Sequence, residues 1–343
     1  MSDIITTGGM SNDQYNQLLK SIGQVLQRGR NQVVYAVSNT ILQTYWEVGR
    51  DIVEFEQQGN VKAEYGSELL KRLSKDLTNQ HGTGFSKSNV FAMRRMYLLY
   101  PKFQTVSGKL TWSHYVELLK LDDPLERAFY EKECIQEHWG VRELKRQMKS
   151  MLFQRIALST DRDAVLRLAR EGQIIEQPQD ILREPYVFEF TGLPAMPVYR
   201  EGDLEEALVS NLSQFLLELG KGFAYIGRQQ RMTIAGRTYM VDLVFYHRIL
   251  KCFVLIDLKR GEIQHEDIGQ MNFYLNYYRE EMNTAGDTEP IGIILGSYRD
   301  RLVMQYALQN ITNQVFVSQY QLYLPNREQL EAEFQRFMAI PGE

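Results

Sequence analysis

The sequence predicts an all-α N-terminal domain followed by a C-terminal α/β domain with a mixed sheet flanked by helices. Three observations carry this. Through residues 10–160, apolar side chains recur three and four apart, the period of an amphipathic helix. From residue 199 onward, short β-branched runs alternate with helical ones, which is how α/β domains are written. Between the two, residues 161–198 read as a connector, with "EGQIIEQPQDILREPYVFEFTGLPAMPV" at 171–198 rich in Pro and Gly. The expected boundaries are therefore 10–160, 161–198 and 199–340.

Composition agrees. The chain of 343 residues is long enough for two cores. At 44% hydrophobic, 24% charged and a net charge of −4, it is globular and not tied by charge to one class of partner. Cys134 and Cys252 are too few and too far apart for a disulfide framework or a zinc site. The opening residues lack a basic stretch leading into an apolar core, and no apolar run is long enough to span a bilayer. A cytoplasmic protein without a membrane partner is expected.

In the first half, Leu18, Ile22, Val25, Leu26, Val33, Val37, Ile41, Tyr45, Val48 and Ile52 mark one long helix, with Gly59 as a stop. "SELLKRLSKDLTNQ" follows as a second helix. A third runs through "KSNVFAMRRMYLL", with Ser86 or Ser88 as N-cap and Pro101 beyond its end. "LTWSHYVELLKL" and "DPLERAFYEKECIQEHWGVRELKRQMKSMLFQRI" continue the helical pattern. Residues 1–160 carry a net +4 and the remainder −8. Within 81–120, Lys87, Arg94, Arg95, Lys102, Lys109 and Lys120 stand against Glu117 alone. A basic, Ser-capped short helix fits a helix-turn-helix or winged-helix reader, with Lys87, Arg94 and Arg95 on nucleic acid. A solvated helix face, or dimerisation through the long helices, is the competing use.

The second half opens with one amphipathic helix, "DLEEALVSNLSQFLLELGKG", ended by glycine. Strands "FAYIGRQQRMTI", "TYMVDLVFYH" and "KCFVLIDLK" follow, then helix "HEDIGQMNFYLNYYREEM", strand "PIGIILGSY", helix "RDRLVMQYALQN" and strand "ITNQVFVSQYQLYL". Asp242, Asp257 and Lys259 interrupt apolar strands. Residues two apart share a strand face, so Asp257 and Lys259 lie together. Antiparallel pairing brings Asp242 beside Asp257. Two arrangements satisfy such a cluster: a structural salt bridge, or a divalent cation on the two carboxylates, for which Mg²⁺ is suited. Glu205 falls inside the apolar stripe of its helix while Glu206 falls outside. Gln270 and Tyr274 share a helix face four residues apart.

Glu205, Asp242, Asp257-Leu258-Lys259 and Gln270 together resemble the PD-(D/E)xK nuclease superfamily. The segments "FYEKECIQEHWGVRELKRQ", "QFLLELGKGFAYIGRQQR", "YMVDLVFYHRILKCFVLIDLK" and "DIGQMNFYLNYY" resemble more closely the YhcG-like nuclease family, over residues 15–335. Val241 stands where the superfamily pattern writes proline. The resemblance implies a restriction-endonuclease-like core that hydrolyses phosphodiesters, in DNA rather than RNA, with Mg²⁺ (Mn²⁺ as substitute). It implies that Asp242, Asp257 and the Leu258 carbonyl bind the metal and that Glu205 supports a water or a second ion. Lys259 would position the attacking water, and Gln270 the scissile strand or the lysine. Arg228, Gln229 and Arg231 would meet phosphates. Cutting both strands would favour a homodimer or higher homo-oligomer. The alternative is a nucleic-acid-binding or assembly protein on the same fold without cleavage. No glycine-rich phosphate loop, HExxH or GxSxG is present, and the five histidines are scattered.

Overall fold

The structure is a computed structural model that describes residues 12–57, 63–158, 162–194, 200–234, 236–298, 314–324 and 326–339. Two compact units are present, one of 1–123 with 137–144 and the other of 124–136 with 145–343.

The first unit is helical. It contains α1 (Asn12–Phe55), α2 (Ala63–His81), α3 (Lys87–Leu99) and α4 (Trp112–Leu118). Ser86 caps α3 by accepting from the Asn89 amide, and Tyr100 closes it ahead of Pro101. The C-terminal end of α1 packs on α2 and α3 through Ile52, Leu70 and Val90, with Val48, Leu73 and Phe85 around them. Gly49 permits this approach: a Cβ there would stand 2.1 Å from the Met93 carbonyl oxygen. The expected stop at Gly59 lies outside the described residues.

The chain continues through α5 (Pro124–Gln136), α6 (Val141–Lys149), α7 (Leu152–Leu158) and α8 (Arg162–Glu171). The stretch expected as a connector thus carries α8 and also β1 (Tyr186–Val187), a strand too short to show a pattern in sequence.

The second unit holds a six-stranded mixed sheet. Its strands are β1, β2 (Phe223–Ile234), β3 (Arg237–His247), β4 (Cys252–Glu262), β5 (Ile291–Tyr298) and β6 (Gln314–Gln321), in the order β1-β6-β5-β4-β3-β2. β2, β3 and β4 form an antiparallel meander, whereas β4, β5, β6 and β1 run parallel. Helices α9 (Glu201–Ser210) and α10 (Leu212–Leu219) serve one face; α11 (His265–Tyr277) serves the other; α12 (Arg327–Ala339) follows the sheet. The expected helix at 299–310 lies outside the described residues.

One expected helix is two. Asn211, at φ −110° and ψ 34°, leaves helical geometry between α9 and α10, and its side chain donates to the Ala207 carbonyl at 2.9 Å. Local side-chain bonding of this kind competes with helix continuity. Gly220, at φ 107°, ends α10 as expected.

Leu204 and Leu208 of α9 pack with Leu243, Val254, Ile256 and Leu258 on one face of the sheet. Met271, Tyr274 and Leu275 of α11 pack with Val244, Leu255 and Ile294 on the other. Strand alternation then sends Asp257 and Lys259 toward α11, because Leu258 between them points into the α9 side. A second buried feature ties the unit together. Arg155, Glu218 and Arg183 are 0%, 1% and 3% exposed and form a dry ionic triad. The Arg155 guanidinium donates to the Glu218 carboxylate, to the Ser150 carbonyl at 2.8 Å and to the Pro185 carbonyl at 3.0 Å. Burial draws the Arg183 guanidinium down to about 10, against the pull of Glu218.

Candidate active site

The site forms where the β3–β4 ladder ends. Regular pairing stops at Leu243 opposite Ile256. One step further, the Asp242 carboxylate accepts from the Leu258 backbone amide at 2.8 Å, so a side chain replaces the neighbouring strand's carbonyl. The Asp242 charge acts on the Asp257 carboxyl across the hairpin. Asp257 is 3% exposed; burial first, then the Asp242 charge, push its carboxyl up to about 7, with Lys259 opposing.

Lys259 Nζ lies 2.9 Å from Asp257 Oδ2 and 3.5 Å from Asp267 Oδ1. Burial lowers its affinity for a proton, but the two carboxylates outweigh burial and hold the ammonium above its ordinary range. Asp267 has a second task, since its Oδ2 accepts from the Gln264 amide at 2.8 Å and caps α11. Its role at Lys259 was not read from sequence, where it appears only as an acid near a helix start. The visible signal was its place eight residues after the lysine.

Glu205 is 7% exposed, whereas Glu206 is exposed, as the helical stripe predicts. Burial raises the Glu205 carboxyl; the bond from Gln229 lowers it and Asp242 raises it. Gln229 Nε2 donates to Glu205 Oε2 at 2.6 Å and to Asp242 Oδ1 at 3.2 Å. Gln229, expected as a phosphate contact, links two of the site's carboxylates. It does so from a left-handed backbone, φ 47°. Arg228 and Arg231 on the same strand are exposed, and the Arg228 charge acts on Glu205. Gln270 donates to the Tyr274 hydroxyl. Burial first, then Asp257, raises the Tyr274 phenol, so Gln270 borders the cluster through a tyrosine.

The N-terminal cations are elsewhere engaged. Arg94 pairs with Glu56 at 2.8 Å and Arg95 with Asp122 at 2.6 Å. Lys87 sits 5.7 Å from the Phe91 ring centroid. Nucleic acid would have to exchange these carboxylates for phosphates.

Among the described residues, no three His, Cys, Asp or Glu side chains converge to hold an ion. What converges is a pair of carboxylates, Asp242 and Asp257, at the Leu258 backbone amide and the Lys259 ammonium. A buried carboxyl pushed upward by burial and by its neighbour fits a divalent cation, and Mg²⁺ needs only one or two carboxylates when it keeps its waters. The donor set fits that group.

A mixed sheet with this helix glutamate, strand aspartate and Asp-x-Lys defines a PD-(D/E)xK nuclease domain. Residues 179–335 match the family model of the YhcG PDDEXK nuclease domain, and residues 21–155 match the DUF1016 N-terminal domain. The curated Escherichia coli (strain K12) protein named "Putative nuclease YhcG" is 37% identical over 95% of this chain and 95% of its own. The chain belongs to this YhcG nuclease family. A repair endonuclease from Pyrococcus abyssi is similar at 19% identity and TM-score 0.26, over 38% of this chain and 50% of that one. A structure of EndoMS in apo form is similar at 17% and 0.25, over 38% and 49%. The chain spans about half the length of each of these solved structures. No described helix is long and apolar enough to cross a membrane.

Proposed function

We propose that the protein is a divalent-metal-dependent endonuclease that hydrolyses phosphodiester bonds in DNA. The observation that carries this reading is the meeting of Asp242, Asp257 and Lys259 at the end of the β3–β4 ladder, with Glu205 joined through Gln229. Asp242, Asp257 and the Leu258 carbonyl would hold Mg²⁺, or Mn²⁺ in its place. When bound, the ion lowers the pKa of water and offsets charge developing on the phosphate. The side chains supply the rest. Lys259, kept charged by Asp257 and Asp267, orients the attacking water and meets the pentavalent phosphate with a fixed ammonium. Glu205 holds a water beside the pair, or a second ion. Gln270 positions the scissile strand, and Arg228 and Arg231 take flanking phosphates.

In this reading residues 199–340 cut, and residues 10–160 bind DNA through Lys87, Arg94 and Arg95 or assemble copies. One site cuts one strand, so a homodimer or higher oligomer cuts two. Two buried cysteines without a disulfide agree with a cytoplasmic protein.

The test is cleavage of supercoiled plasmid by the purified chain with Mg²⁺, Mn²⁺ or EDTA, beside Asp257→Ala. Metal-dependent nicking or linearisation lost in the variant is the expected result. Cleavage unaltered by Asp257→Ala would overturn the assignment. Binding without cleavage under every metal would favour a nucleic-acid-binding protein on this fold, and cleavage of RNA alone would change the substrate.

A further inference from the structure

We infer that α1 is the surface on which a second copy of this chain docks. The inference deepens the assembly reading above and is independent of the nuclease chemistry. Tyr15, Leu18, Ile22, Leu26, Val33 and Val37 are between 47% and 64% exposed. At 100° per residue they fall within about 100° of arc, over roughly 33 Å of helix. Only further along does the apolar face turn inward, at Val48 and Ile52. Of the large apolar side chains exposed between Tyr15 and Ile41, ten (all but Tyr35) lie on the same half of the helix. At roughly 80 Å² each, about half of a large side chain, they present on the order of 800 Å². That exceeds the apolar patch of an ordinary monomer, about 300–600 Å². It matches the ~800 Å² that each partner contributes to a standard stable interface. An amphipathic helix of this length draws its stability mainly from covering its apolar face.

The polar residues choose the occupant. Between Asp13 and Glu47 there is no Asp or Glu, and the only cations are Lys20, Arg28 and Arg30. Gln, Asn, Ser and Thr fill the remaining polar positions. DNA or an anionic membrane selects a basic face; an acidic partner has few cations to meet. A second α1 meets the same apolar stripe, with Arg30 beside it and Lys20 and Arg28 on the far side of the helix, in an isologous two-fold contact. Leu19, Leu26 and Val33 recur at seven-residue spacing, the repeat of a two-helix seam.

Leu26 lies at the middle of the stripe, so a two-fold centred there sets it against its own copy in either helix direction. The experiment is sedimentation equilibrium of the full chain, wild type and the pair Ile22→Asp with Val33→Asp, with Gln24→Asp on the opposite helix face as control. Wild type and control are expected to be dimeric, and the stripe pair to associate at least 100-fold more weakly. Because a charged pair can fray the helix, Leu26→Cys gives a second measurement, expected to yield a disulfide-linked dimer on mild oxidation while native Cys134 and Cys252 stay buried. A monomeric wild type overturns both this surface and the assembly reading. A dimer that tolerates the stripe pair and leaves Leu26→Cys uncrosslinked overturns the surface alone. Flotation of wild type with phosphatidylserine vesicles, lost in the stripe pair, would assign the stripe to a membrane and overturn the proposal.

Discussion

Gln229 and Asp242 face each other across β2 and β3, and the glutamine's amide nitrogen binds the aspartate and Glu205 at once. The residue holds this position at φ 47°, a conformation that costs a non-glycine residue about 1–2 kcal/mol. Gln229→Gly relieves that backbone cost but adds glycine's unfolded-state entropy and removes the carboxylates' common donor, so stability is expected to change by less than about 1 kcal/mol while cleavage falls roughly 10- to 100-fold. Urea unfolding and plasmid cleavage on the same samples check both halves. A variant as active as wild type would refute the role.

Asp257 ties the site to pH. Its folded-state pKa, about 7, is raised from an ordinary value of 3.8. The folded metal-free chain therefore binds this proton more tightly than the unfolded chain does. The resulting stability is fully present below pH 3.8 and is lost as pH rises to about 7. Asp257→Asn should stabilise the metal-free protein by on the order of 3 kcal/mol at pH 8 and by little at pH 4. Denaturant titrations in EDTA at the two pH values measure the difference; an equal effect at both would contradict it.

Asp267 serves Lys259 and its own helix, and two substitutions separate the tasks. Asp267→Asn keeps an acceptor for the Gln264 amide, so stability should change by less than ~0.5 kcal/mol. Cleavage should fall about 5- to 10-fold as one of the lysine's two carboxylates goes. Asp267→Ala should lose a further ~1 kcal/mol of stability. Thermal melts and initial rates decide between these outcomes.

Glu218 balances two arginines in a dry interior. Glu218→Ala leaves them uncompensated and should destabilise the fold by about 3–5 kcal/mol. Expression at low temperature followed by denaturant unfolding measures it. A loss under 1 kcal/mol would show that the triad contributes little to the fold.

How far the sequence could be read depends on where the information lies. Periodicity placed Glu205 in the buried stripe and Glu206 outside it, and strand alternation put Asp257 with Lys259, because both are local geometry. The antiparallel hairpin brought Asp242 to Asp257 for the same reason. The bridge that Gln229 makes between Glu205 and Asp242 is not legible in sequence because it depends on a left-handed residue in a strand, and the strand pattern gives no sign of that dihedral. Asp267 was passed over because a helix-capping acid looks the same whether or not a lysine from the preceding strand reaches it. The Arg155–Glu218 pair spans 63 residues, and no spacing rule announces so distant a partner. Asn211 looks like one polar residue in a continuous helix, and only its dihedrals, φ −110° and ψ 34°, reveal the break.

Leu258 separates the two charged residues of the Asp-x-Lys triplet and is itself fully enclosed among Leu204, Leu208 and Ile256. It is the peg that sets the depth of both neighbours: an apolar anchor in one medium fixes the reach of two charges into another. The letter x in that triplet suggests indifference, but in this fold the position is fully buried in an apolar cluster and calls for an apolar side chain of about leucine's size. Leu258→Ser would keep every charged residue of the triplet and still disarm it, by letting the pair sink or swing.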